Sequence, residues 1–407
     1  MARKFPLFSL YVFPYKAGDN YHLHDPMRLL FFGTITLLVF YTILCVSRMF
    51  PDHMLLCSII SIALLIFILW MSLFRRHVSS EKPYNPVLVW SSSIGLGLWS
   101  SFILFCIIID SVNFLLLIAQ ILGVDRLAEL DREYWMPETI RIAFIAALIT
   151  SFIGWLQAVK GPIVRKISVP LASLPKELAG VTIAQISDLH IGAIIQKNYI
   201  EKVVSKVMAL TPDIIAITGD MADGKPEALR VYTRPLAALT APLGVYYITG
   251  NHEYYSGALD WIAEAQRLGF TPLLNENRIL DYRQKKIMVA GVTDLMAHRF
   301  IASHASDPHK AALSDKKPDI RILLAHQPES YGAAQEAGFD LQLSGHTHAG
   351  QYFPFSLLVN LVKRYARGLH RYKTLWIYVN PGTGFWGAAN RFGIPAEITL
   401  LTLTADK

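Results

Sequence analysis

The sequence is poor in cysteine and in charged residues. It has three cysteines in 407 residues, and Asp, Glu, Lys and Arg together make up 17% of the chain. Cys45, Cys57 and Cys106 all fall within long apolar runs. Their spacing fits neither a metal site nor a disulfide framework, so the cysteines predict neither and do not indicate a redox compartment.

The sequence also lacks a recognisable cleaved leader and a nucleic-acid-binding module. The first apolar stretch is of membrane-spanning length without a small-residue cleavage site, and no twin-arginine pair stands near the start. The net charge is +7, but no arginine–aromatic recognition pattern accompanies it. We expect no nucleic-acid partner and attribute the positive charge to membrane flanks that attract anionic lipids.

Hydrophobic residues are abundant, at 53% of the chain, against about 45–50% in soluble globular proteins. The excess lies before Val159, in four stretches that each approach the ~20 residues needed to cross a bilayer. These predicted spans are residues 29–50, 55–74, 87–109 and 139–159. Apolar residues continue past Asp110 to Leu122, which predicts an interfacial helix after the third span. Asp110 then marks the lipid–water boundary or, alternatively, has a functional role.

Basic residues flank the predicted spans unequally. Three flanks are basic, with Arg3, Lys4, Lys16 and Arg28 before the first span, Arg75, Arg76 and Lys82 after the second, and Lys160, Arg165 and Lys166 after the fourth. The opposite loops hold Arg48 alone or an excess of acidic residues over Arg126 and Arg132. The positive-inside rule predicts a multi-pass protein of the inner (cytoplasmic) membrane with both termini and the C-terminal domain in the cytoplasm. One additional crossing would reverse this orientation.

The pattern changes after residue 160 to short apolar runs alternating with amphipathic ones. Predicted strands are residues 164–169, 181–187, 213–218, 245–249, 287–292, 320–325 and 341–344, and predicted helices are residues 199–210, 227–239 and 259–268. We therefore predict a transmembrane helical domain over residues 1–160 and an α/β domain over residues 161–407.

Five polar motifs follow apolar runs of this second domain. They are Asp188-Leu189-His190, Gly219-Asp220, Gly250-Asn251-His252-Glu253, Ala325-His326 and Gly345-His346-Thr347-His348. Because strand ends of open α/β sheets converge on ligand sites, these side chains are expected to meet at one rim. Carboxylate, amide oxygen and imidazole are ligands of divalent cations, and a pair of such cations hydrolyses phosphate esters.

Spacing gives two local expectations. Asp188 and His190 stand two residues apart, so in an extended segment they point to one side and bind one ion, and the same holds for His346 and His348. The glycines at positions 219, 250 and 345 are expected to permit tight turns.

The ordered set of motifs resembles the calcineurin-like metallophosphoesterases, and in particular their membrane-associated bacterial branch. The resemblance covers about residues 163–403 and includes the strings Gln185 to His190, Gly250 to Tyr255 and Ser344 to Gln351. It implies a four-layer α/β/β/α sandwich of two mixed sheets. It also implies a metal-dependent phosphoesterase.

The resemblance implies a role for each motif residue. Asp188, His190 and His348 would bind one divalent ion, Asn251, His326 and His346 would bind a second, and Asp220 would bridge them. His252 would act as a general acid beside the phosphate without being a ligand. Two Mn²⁺ ions are expected, with Fe, Zn and Mg as alternatives.

Other polar residues have weaker patterns. Asp223 either orients a metal ligand or is an exposed turn residue before Gly224. Asp294 and Arg391 are candidates for contact with substrate phosphate. His298, His304 and His309 are expected to be solvated in a polar loop.

The substrate is suggested by the expected closeness of the second domain to the membrane. Few residues separate Gly161 from the first motif strand, and the apolar run 353–362 precedes the basic residues Lys363, Arg364, Arg367, Arg371 and Lys373. This run either receives a lipid tail or packs in the core. We expect membrane lipids as partners and a lipid-linked phosphodiester or pyrophosphate as substrate, such as the UDP-2,3-diacylglucosamine that some relatives cleave. Hydrolysis of soluble nucleotides or phosphoproteins, and a non-catalytic membrane sensor or scaffold, are the alternatives.

Overall fold

The computed structural model describes residues 26–78, 85–123, 132–172 and 174–405. It divides into two compact units, one formed by Met1–Arg75 with Leu98–Thr150 and the other by Arg76–Gly97 with Ser151–Lys407. The predicted boundary at residue 160 stays a prediction. Several residues behind the predicted orientation lie outside the described ranges: Arg3, Lys4, Lys16, Lys82, Asp125, Arg126, Glu129 and Asp131.

Four helices precede the sheets. They are α1 (Pro26–Met49), α2 (Met54–Val78), α3 (Pro86–Ile121) and α4 (Arg132–Lys160). Within the described residues, two helical segments are long and apolar enough to cross a membrane, Pro86–Ile121 and Trp135–Lys160. The prediction of four spans is therefore wrong by this measure. The apolar stretches described in α1 and α2, Gly33–Met49 and Met54–Phe67, fall short of spanning length.

Helix α3 is continuous where a break was predicted. It has 36 residues and runs past Asp110 without interruption. At 1.5 Å per residue it is about 54 Å long, against about 30 Å for the hydrocarbon core. The separate interfacial helix after the third span is therefore not found, because no proline or glycine interrupts the chain between Ile109 and Ile121.

The first unit contains an ion pair between α1 and α3. The guanidinium of Arg48 donates to both carboxylate oxygens of Asp110, at 2.9 and 3.0 Å. The hydroxyl of Tyr41 donates to Oδ2 of Asp110 at 2.7 Å. A bidentate pair of this kind compensates the charge of a carboxylate in apolar surroundings. The predicted place of Asp110 at the lipid boundary stays a prediction.

The second unit contains two six-stranded mixed sheets. In the first sheet the spatial order is β1 (Ile163–Leu171), β12 (Glu397–Ala405), β2 (Thr182–Ile186), β3 (Ile214–Thr218), β4 (Val245–Ile248) and β5 (Thr271–Pro272). In the second sheet it is β10 (Gly368–Tyr372), β11 (Leu375–Val379), β9 (Leu341–Ser344), β8 (Ile320–Leu324), β7 (Lys285–Gly291) and β6 (Glu276–Tyr282). Neighbours are parallel except β12 with β2, β10 with β11, and β6 with β7. Two mixed sheets were expected.

Helices connect the strands. They are α5 (Lys197–Met208), α6 (Pro226–Thr233), α7 (Asn251–Ser256), α8 (Ala258–Arg267), α9 (Pro308–Ala311), α10 (Tyr331–Glu336) and α11 (Phe355–Val362). The helix predicted over residues 227–239 is shorter than expected. It ends at Thr233 and gives way to a 3₁₀ turn at Arg234–Ala238, because Pro235 cannot continue the backbone hydrogen bonding.

Three cores account for the layers of the domain. One lies between the sheets and combines residues of both, such as Ile183 and Ile214 with Ile322 and Leu341. A second joins the first sheet to α5, α6 and α8, and a third packs α10 against the second sheet. The order of layers is therefore helix, sheet, sheet, helix.

The ends of α3 and α4 that belong to the second unit pack on the segment between β11 and β12. The amide of Arg391 donates to the carbonyl of Gly154 at 3.0 Å, and the hydroxyl of Ser93 donates to the carbonyl of Gly387. A Cβ placed on Gly154 would lie 1.7 Å from Oδ1 of Asn390 and 2.8 Å from the amide nitrogen of Phe392. The absence of a side chain at Gly154 therefore permits this contact.

We predict that Gly154→Ala destabilises the protein whereas Gly97→Ala does not. Both changes favour the helix by about 1 kcal/mol, but only the first adds overpacking worth about 1–3 kcal/mol. A Cβ on Gly97 would meet Asn390 at an ordinary 3.4 Å. The net cost of about 0–2 kcal/mol should lower the Tm of the detergent-purified Gly154→Ala protein by up to roughly 8 °C and place it below the Tm of Gly97→Ala. Equal Tm values for the two variants would contradict the close packing at Gly154.

Candidate metal centre and active site

The five motifs occupy the loops at the carboxyl ends of five strands. Three follow β2, β3 and β4, which are adjacent and parallel in the first sheet. Two follow β8 and β9, which are adjacent and parallel in the second sheet. Because the two sheets pack face to face, their loops meet at one edge. The expected convergence is found.

The backbone at this edge is strained. Five of the motif residues have positive φ between 48° and 66°: Asp188, His190, Asp220, His346 and His348. Residues other than glycine rarely adopt this left-handed backbone conformation, and such backbone strain is concentrated at functional sites. The expectation of extended segments is therefore wrong, because left-handed turns and not strand alternation set the direction of these side chains.

Close approach explains two of the glycines. A Cβ on Gly345 would lie 2.1 Å from Oδ2 of Asp188, and one on Gly250 would lie 2.2 Å from Oδ1 of Asp220. Gly219 alone among the three predicted turn glycines has a positive φ, at 88°. At Gly250 and Gly345 glycine therefore serves contact with a carboxylate and not the turn itself.

Asp188, His190 and His348 form a first cluster whose donor atoms lie within 4.8 Å of one another. Nδ1 of His190 donates to Oδ1 of Asp223 at 2.8 Å, which leaves Nε2 of His190 facing Nε2 of His348 at 3.0 Å. Oδ1 of Asp188 lies 3.5 Å from the same Nε2 of His348. Three donor atoms therefore point at one place, as in the set implied for the first ion.

Asp220, His326 and His346 form a second cluster by the same criterion. The ring of His326 donates through Nδ1 to the carbonyl of Thr218 at 2.7 Å, and its Nε2 lies 3.1 Å from Oδ2 of Asp220. His346 and His348 thus lie in different clusters. This grouping does not place them at one ion, as their spacing suggested, and the division between two ions implied by the resemblance stays a prediction.

Unpartnered buried atoms show that the site suits cations. Oδ1 of Asn251 is buried and has no hydrogen-bond partner, and Nε2 of His326 is buried 3.1 Å from Oδ2 of Asp220 without a well-directed hydrogen bond. The amide nitrogen of Asn251 donates to the hydroxyl of Tyr255 at 3.2 Å, so its oxygen is the end left for a ligand. Buried polar atoms are normally paired, and a metal-binding imidazole normally donates its other nitrogen to a carbonyl or carboxylate. The residues therefore fit a pair of divalent ions.

The charges within the site oppose one another. Burial opposes ionisation of Asp220, but His326 and His252 outweigh it and hold the pKa of this carboxyl well below its usual range. Burial and His326 lower the pKa of His346 to about 3. Burial likewise lowers the pKa of His348, assisted by His190 and Arg391. His346 and His348 are therefore neutral near pH 7, the form in which imidazole binds a metal.

His252 stands beside both clusters and reaches solvent. Its side chain is 15% exposed, and its Nε2 lies 3.9 Å from Oδ2 of Asp220. Its Nδ1 donates to Oδ1 of Asp223 at 2.6 Å. Burial lowers the pKa of His252, but Asp220 and Asp223 outweigh it and raise this pKa to about 9 in the metal-free protein. His252 is thus held protonated, as a general acid must be before it reacts.

Asp223 and Glu253 support the site from behind. Asp223 accepts from both His190 and His252, which favours the orienting role over an exposed turn. Glu253 is buried and accepts from the amides of Gly250, Asp220 and Met221 at 2.7–3.0 Å. No role was predicted for Glu253. Its place three residues after Gly250 at the start of α7 is a capping-box signal that could have identified it.

The two candidate phosphate contacts are both buried. Arg391 donates to the carbonyls of Pro381 and Gly384, and its Nη2 lies 3.2 Å from Nδ1 of His348. Asp294 accepts from the side chain of Gln327 and the amide of Met296. Neither belongs to the two clusters, and contact of Arg391 or Asp294 with substrate stays a prediction.

His304 differs from its expected environment. It is half-buried, and its Nδ1 lies 2.8 Å from the hydroxyl of Tyr254. The expectation of a solvated side chain is therefore wrong for His304, while His298 and His309 are exposed as expected. The hydroxyl of Tyr254 provides the buried polar partner that sequence alone did not reveal.

Comparison with known proteins agrees with this geometry. Residues 181–350 match the family model described as calcineurin-like phosphoesterase. An uncharacterized metallophosphoesterase of Helicobacter pylori is 35% identical over 306 residues, which cover 74% of this chain and 80% of that protein. The chain belongs to the calcineurin-like metallophosphoesterases. The resemblance read from the motifs is confirmed.

Two further relatives of this metallophosphoesterase carry a membrane description in their names. A "transmembrane protein with metallophosphoesterase domain" from Bos taurus is 36% identical over 287 residues, covering 68% of this chain and 65% of that protein. A protein of the same name from Danio rerio is 32% identical over 320 residues, covering 76% and 72%. The match thus spans slightly less than two thirds of the bovine relative.

Aromatic side chains that the sequence analysis did not single out border His252. The ring of Tyr255 lies 5.4 Å from the imidazole, and the ring of Trp386 lies 5.8 Å away at a steep angle. Phe300 continues this border at 5.6 Å from Tyr255. No motif marks these residues, because their proximity depends on the packing of separate loops.

We predict that Asp220→Asn removes bound metal from the metallophosphoesterase whereas Asp294→Asn does not. Asp220 belongs to the second cluster and also lies within the same distance of His190 and His252, so losing its charge weakens the second cluster and removes a carboxylate next to the first. Substituting a residue that only hydrogen-bonds to a metal ligand typically lowers metal affinity about 10–100-fold. Loss of a ligand carboxylate should therefore lower metal affinity at least about 100-fold. Elemental analysis after dialysis against a fixed free Mn²⁺ concentration measures the content. Equal metal content in the two variants would argue against Asp220 as a ligand.

Proposed function

We propose that this protein is a membrane-anchored phosphohydrolase that uses two divalent ions to cleave a phosphodiester or pyrophosphate bond. The observation that supports it most is the pairing of two donor clusters with a solvent-reaching imidazole held by Asp223. A pure binding module has no need of an imidazole that Asp223 orients beside two metal-suited clusters.

Two Mn²⁺ ions are the proposed cofactors, with Fe, Zn and Mg as alternatives. Asp188, His190 and His348 would hold one ion and Asn251, His326 and His346 the other, with Asp220 shared. Carboxylate, amide oxygen and imidazole suit these metals. When bound, the pair supplies Lewis-acid polarisation of phosphoryl oxygens and a more acidic water.

The protein groups have separate tasks in this proposal. Asp223 holds the ring of His252 through Nδ1, so that Nε2 presents a proton toward the site. Water supplies the oxygen of the new bond to phosphorus, the bond from phosphorus to the leaving oxygen breaks, and the leaving oxygen takes the proton of His252. Asp188 and Asp220 are buried, and their electrostatic interactions are stronger in these low-dielectric surroundings than they would be in water.

We propose a lipid-linked substrate, such as UDP-2,3-diacylglucosamine. The support is the direct passage from α4 into β1, with Gly161 and Pro162 between them, which keeps a site of this domain near the membrane end of a candidate span. Hydrolysis of soluble nucleotides or phosphoproteins is the alternative enzymatic activity. A non-catalytic sensor or scaffold is a third candidate, which the intact donor set disfavours.

We predict that His252→Ala retains both metals but loses at least about 10²-fold in turnover on a dialkyl phosphodiester. An alkoxide departs poorly without a proton, whereas a nitrophenolate departs readily. The loss should therefore be smaller on bis(p-nitrophenyl) phosphate if proton donation is the main task of His252, and equally large if charge stabilisation is.

His298→Ala is the matched control, because His298 is exposed and lies outside both clusters. Wild-type hydrolysis should vanish with a chelator and return with Mn²⁺. If His252→Ala equals wild type on both substrates with its metals in place, the catalytic role is refuted and the scaffold alternative gains.

We propose that the protein is a multi-pass protein of the inner membrane with its catalytic domain in the cytoplasm. The support is the excess of lysine and arginine beside α4 and in the chain before α1. Partners are expected to be membrane lipids and a phosphate-containing substrate.

A fluorescent reporter fused after Lys407 should be bright, because the C-terminus is expected in the cytoplasm. A phosphatase that requires the periplasm should be active when fused near Glu129. The converse result, a dark C-terminal reporter with an inactive phosphatase near Glu129, would mean that the catalytic domain faces outward.

A further inference from the structure

Helix α11 presents an apolar face to solvent close to the metal motifs. Its buried side is formed by Ser356 and Val359. On the other side Leu357, Leu358, Leu361 and Val362 are 46%, 40%, 82% and 52% exposed. The core-packing alternative for this run therefore holds for one side of the helix only.

Exposed apolar side chains are concentrated near this helix and near α4. In the described residues after α4, nine large hydrophobic side chains are exposed: Ile163, Val164, Val231, Leu259, Leu313, Leu357, Leu358, Leu361 and Val362. Four belong to α11 and two to the first residues of β1, directly after α4. Contiguous exposed apolar surface on a protein marks a contact with a partner or a membrane.

Hydrogen bonds connect α11 to the end of α4. The amide of Phe353 donates to the carbonyl of Phe392 at 2.8 Å, and the amide of Arg391 donates to the carbonyl of Gly154 at 3.0 Å. The rings of Phe353 and Phe392 lie 6.5 Å apart. Two contacts thus lead from a candidate membrane span to the segment that begins α11.

Helix α11 also packs directly against the turn His348–Gly350, which begins with the last residue of the last metal motif. A Cβ on Gly350 would lie 2.6 Å from Cα of Ser356 and 3.0 Å from a methyl group of Val359. Gly350 ends the short turn that begins at His348, so α11 packs against the turn that carries a candidate metal ligand. A lipid tail against α11 would therefore place its headgroup within a few residues of the metals.

The residues after α11 carry positive charge. Arg364, Arg367, Arg371 and Lys373 are all exposed. Cations beside an apolar face are typical of segments that lie in the interfacial layer of an anionic membrane. The charge therefore favours a lipid surface over an apolar protein partner.

We propose that the Leu357–Leu358–Leu361–Val362 face of α11 inserts into the bilayer surface beside α4 and admits the acyl part of the substrate to the active site. This proposal rests on the proposed hydrolase function for its substrate, but the membrane contact is independent of it. The substrate is then a phosphodiester that stays anchored in the membrane while its headgroup reaches the metals.

The membrane contact is tested by nitroxide depth measurement. The full chain, with Cys45, Cys57 and Cys106 replaced by alanine and shown to keep its Tm, is labelled at Leu361→Cys or at Leu259→Cys. Leu259 is the matched control, since it is 62% exposed on α8. In phosphatidylcholine–phosphatidylglycerol vesicles the label at 361 should be accessible to oxygen and shielded from a water-soluble nickel complex, and the label at 259 should show the reverse. Equal exposure of both labels to the nickel complex overturns the proposal.

The access role is tested by comparing two substrates with the same leaving group. Leu361→Glu should lower kcat/KM at least about tenfold on a diacylglycerol p-nitrophenyl phosphodiester embedded in those vesicles. It should leave bis(p-nitrophenyl) phosphate hydrolysis unchanged, and Leu259→Glu should affect neither. Equal rates for Leu361→Glu and wild type on the embedded diester overturn the access role.

The two failures are distinguishable. If the wild type hydrolyses neither diester, the hydrolase proposal fails, and the depth measurement still decides whether α11 contacts the bilayer. If the wild type hydrolyses the soluble diester while both labels lie in water, the hydrolase proposal stands and the membrane contact is wrong.

Discussion

The burial of like charges at one sheet edge is the constraint on which the rest of this structure depends. Asp188 and Asp220 are almost completely buried, and each is within reach of two or more imidazoles. Two buried carboxylates repel each other and lose hydration, so positive charge between them stabilises their ionised forms. Protons on His252 and His326 supply this positive charge. Burial lowers the pKa of each imidazole, but the neighbouring carboxylates outweigh burial and raise it.

A bound divalent ion would replace the proton of His326, because Nδ1 of this ring already donates to Thr218 and only Nε2 is left. Metal affinity and pH are coupled at this residue for that reason. His252 differs, since its Nδ1 is held by Asp223 and its ring reaches solvent. The same carboxylate cluster thus prepares one imidazole to bind metal and another to keep its proton.

The positions of the motifs could be predicted from sequence, but their local geometry could not. An apolar run followed by Asp, Asn or His marks the carboxyl end of a strand, and β2, β3, β4, β8 and β9 all end within one or two residues of the predicted position. The prediction that His346 and His348 point to the same side of an extended segment failed. Both residues have positive φ, and their rings lie in different clusters. The division between clusters was available only through the family resemblance.

Other features escaped prediction because they depend on tertiary packing. None of the five motifs follows β10, β11 or β12, and β6 is a polar edge strand, so these strands were not predicted. The contacts of Asn390 with α4 and of Trp386 with His252 join residues far apart in sequence. The helix predicted past Thr233 failed for a local reason, since Pro235 was present but not weighed.

Strand β12 connects the candidate span to the metal site. The end of α4 leads into β1, β1 pairs with β12 over nine residues, and β12 pairs with β2, whose end carries Asp188. The segment before β12 contributes Arg391, which contacts both the carbonyl of Gly154 and the ring of His348. Packed sheets and buried polar contacts are stiff, so a displacement of the end of α4 is expected to shift the candidate metal ligands as well. The end of α4 therefore helps to fix the position of the candidate metal centre, which goes beyond attaching a separate domain.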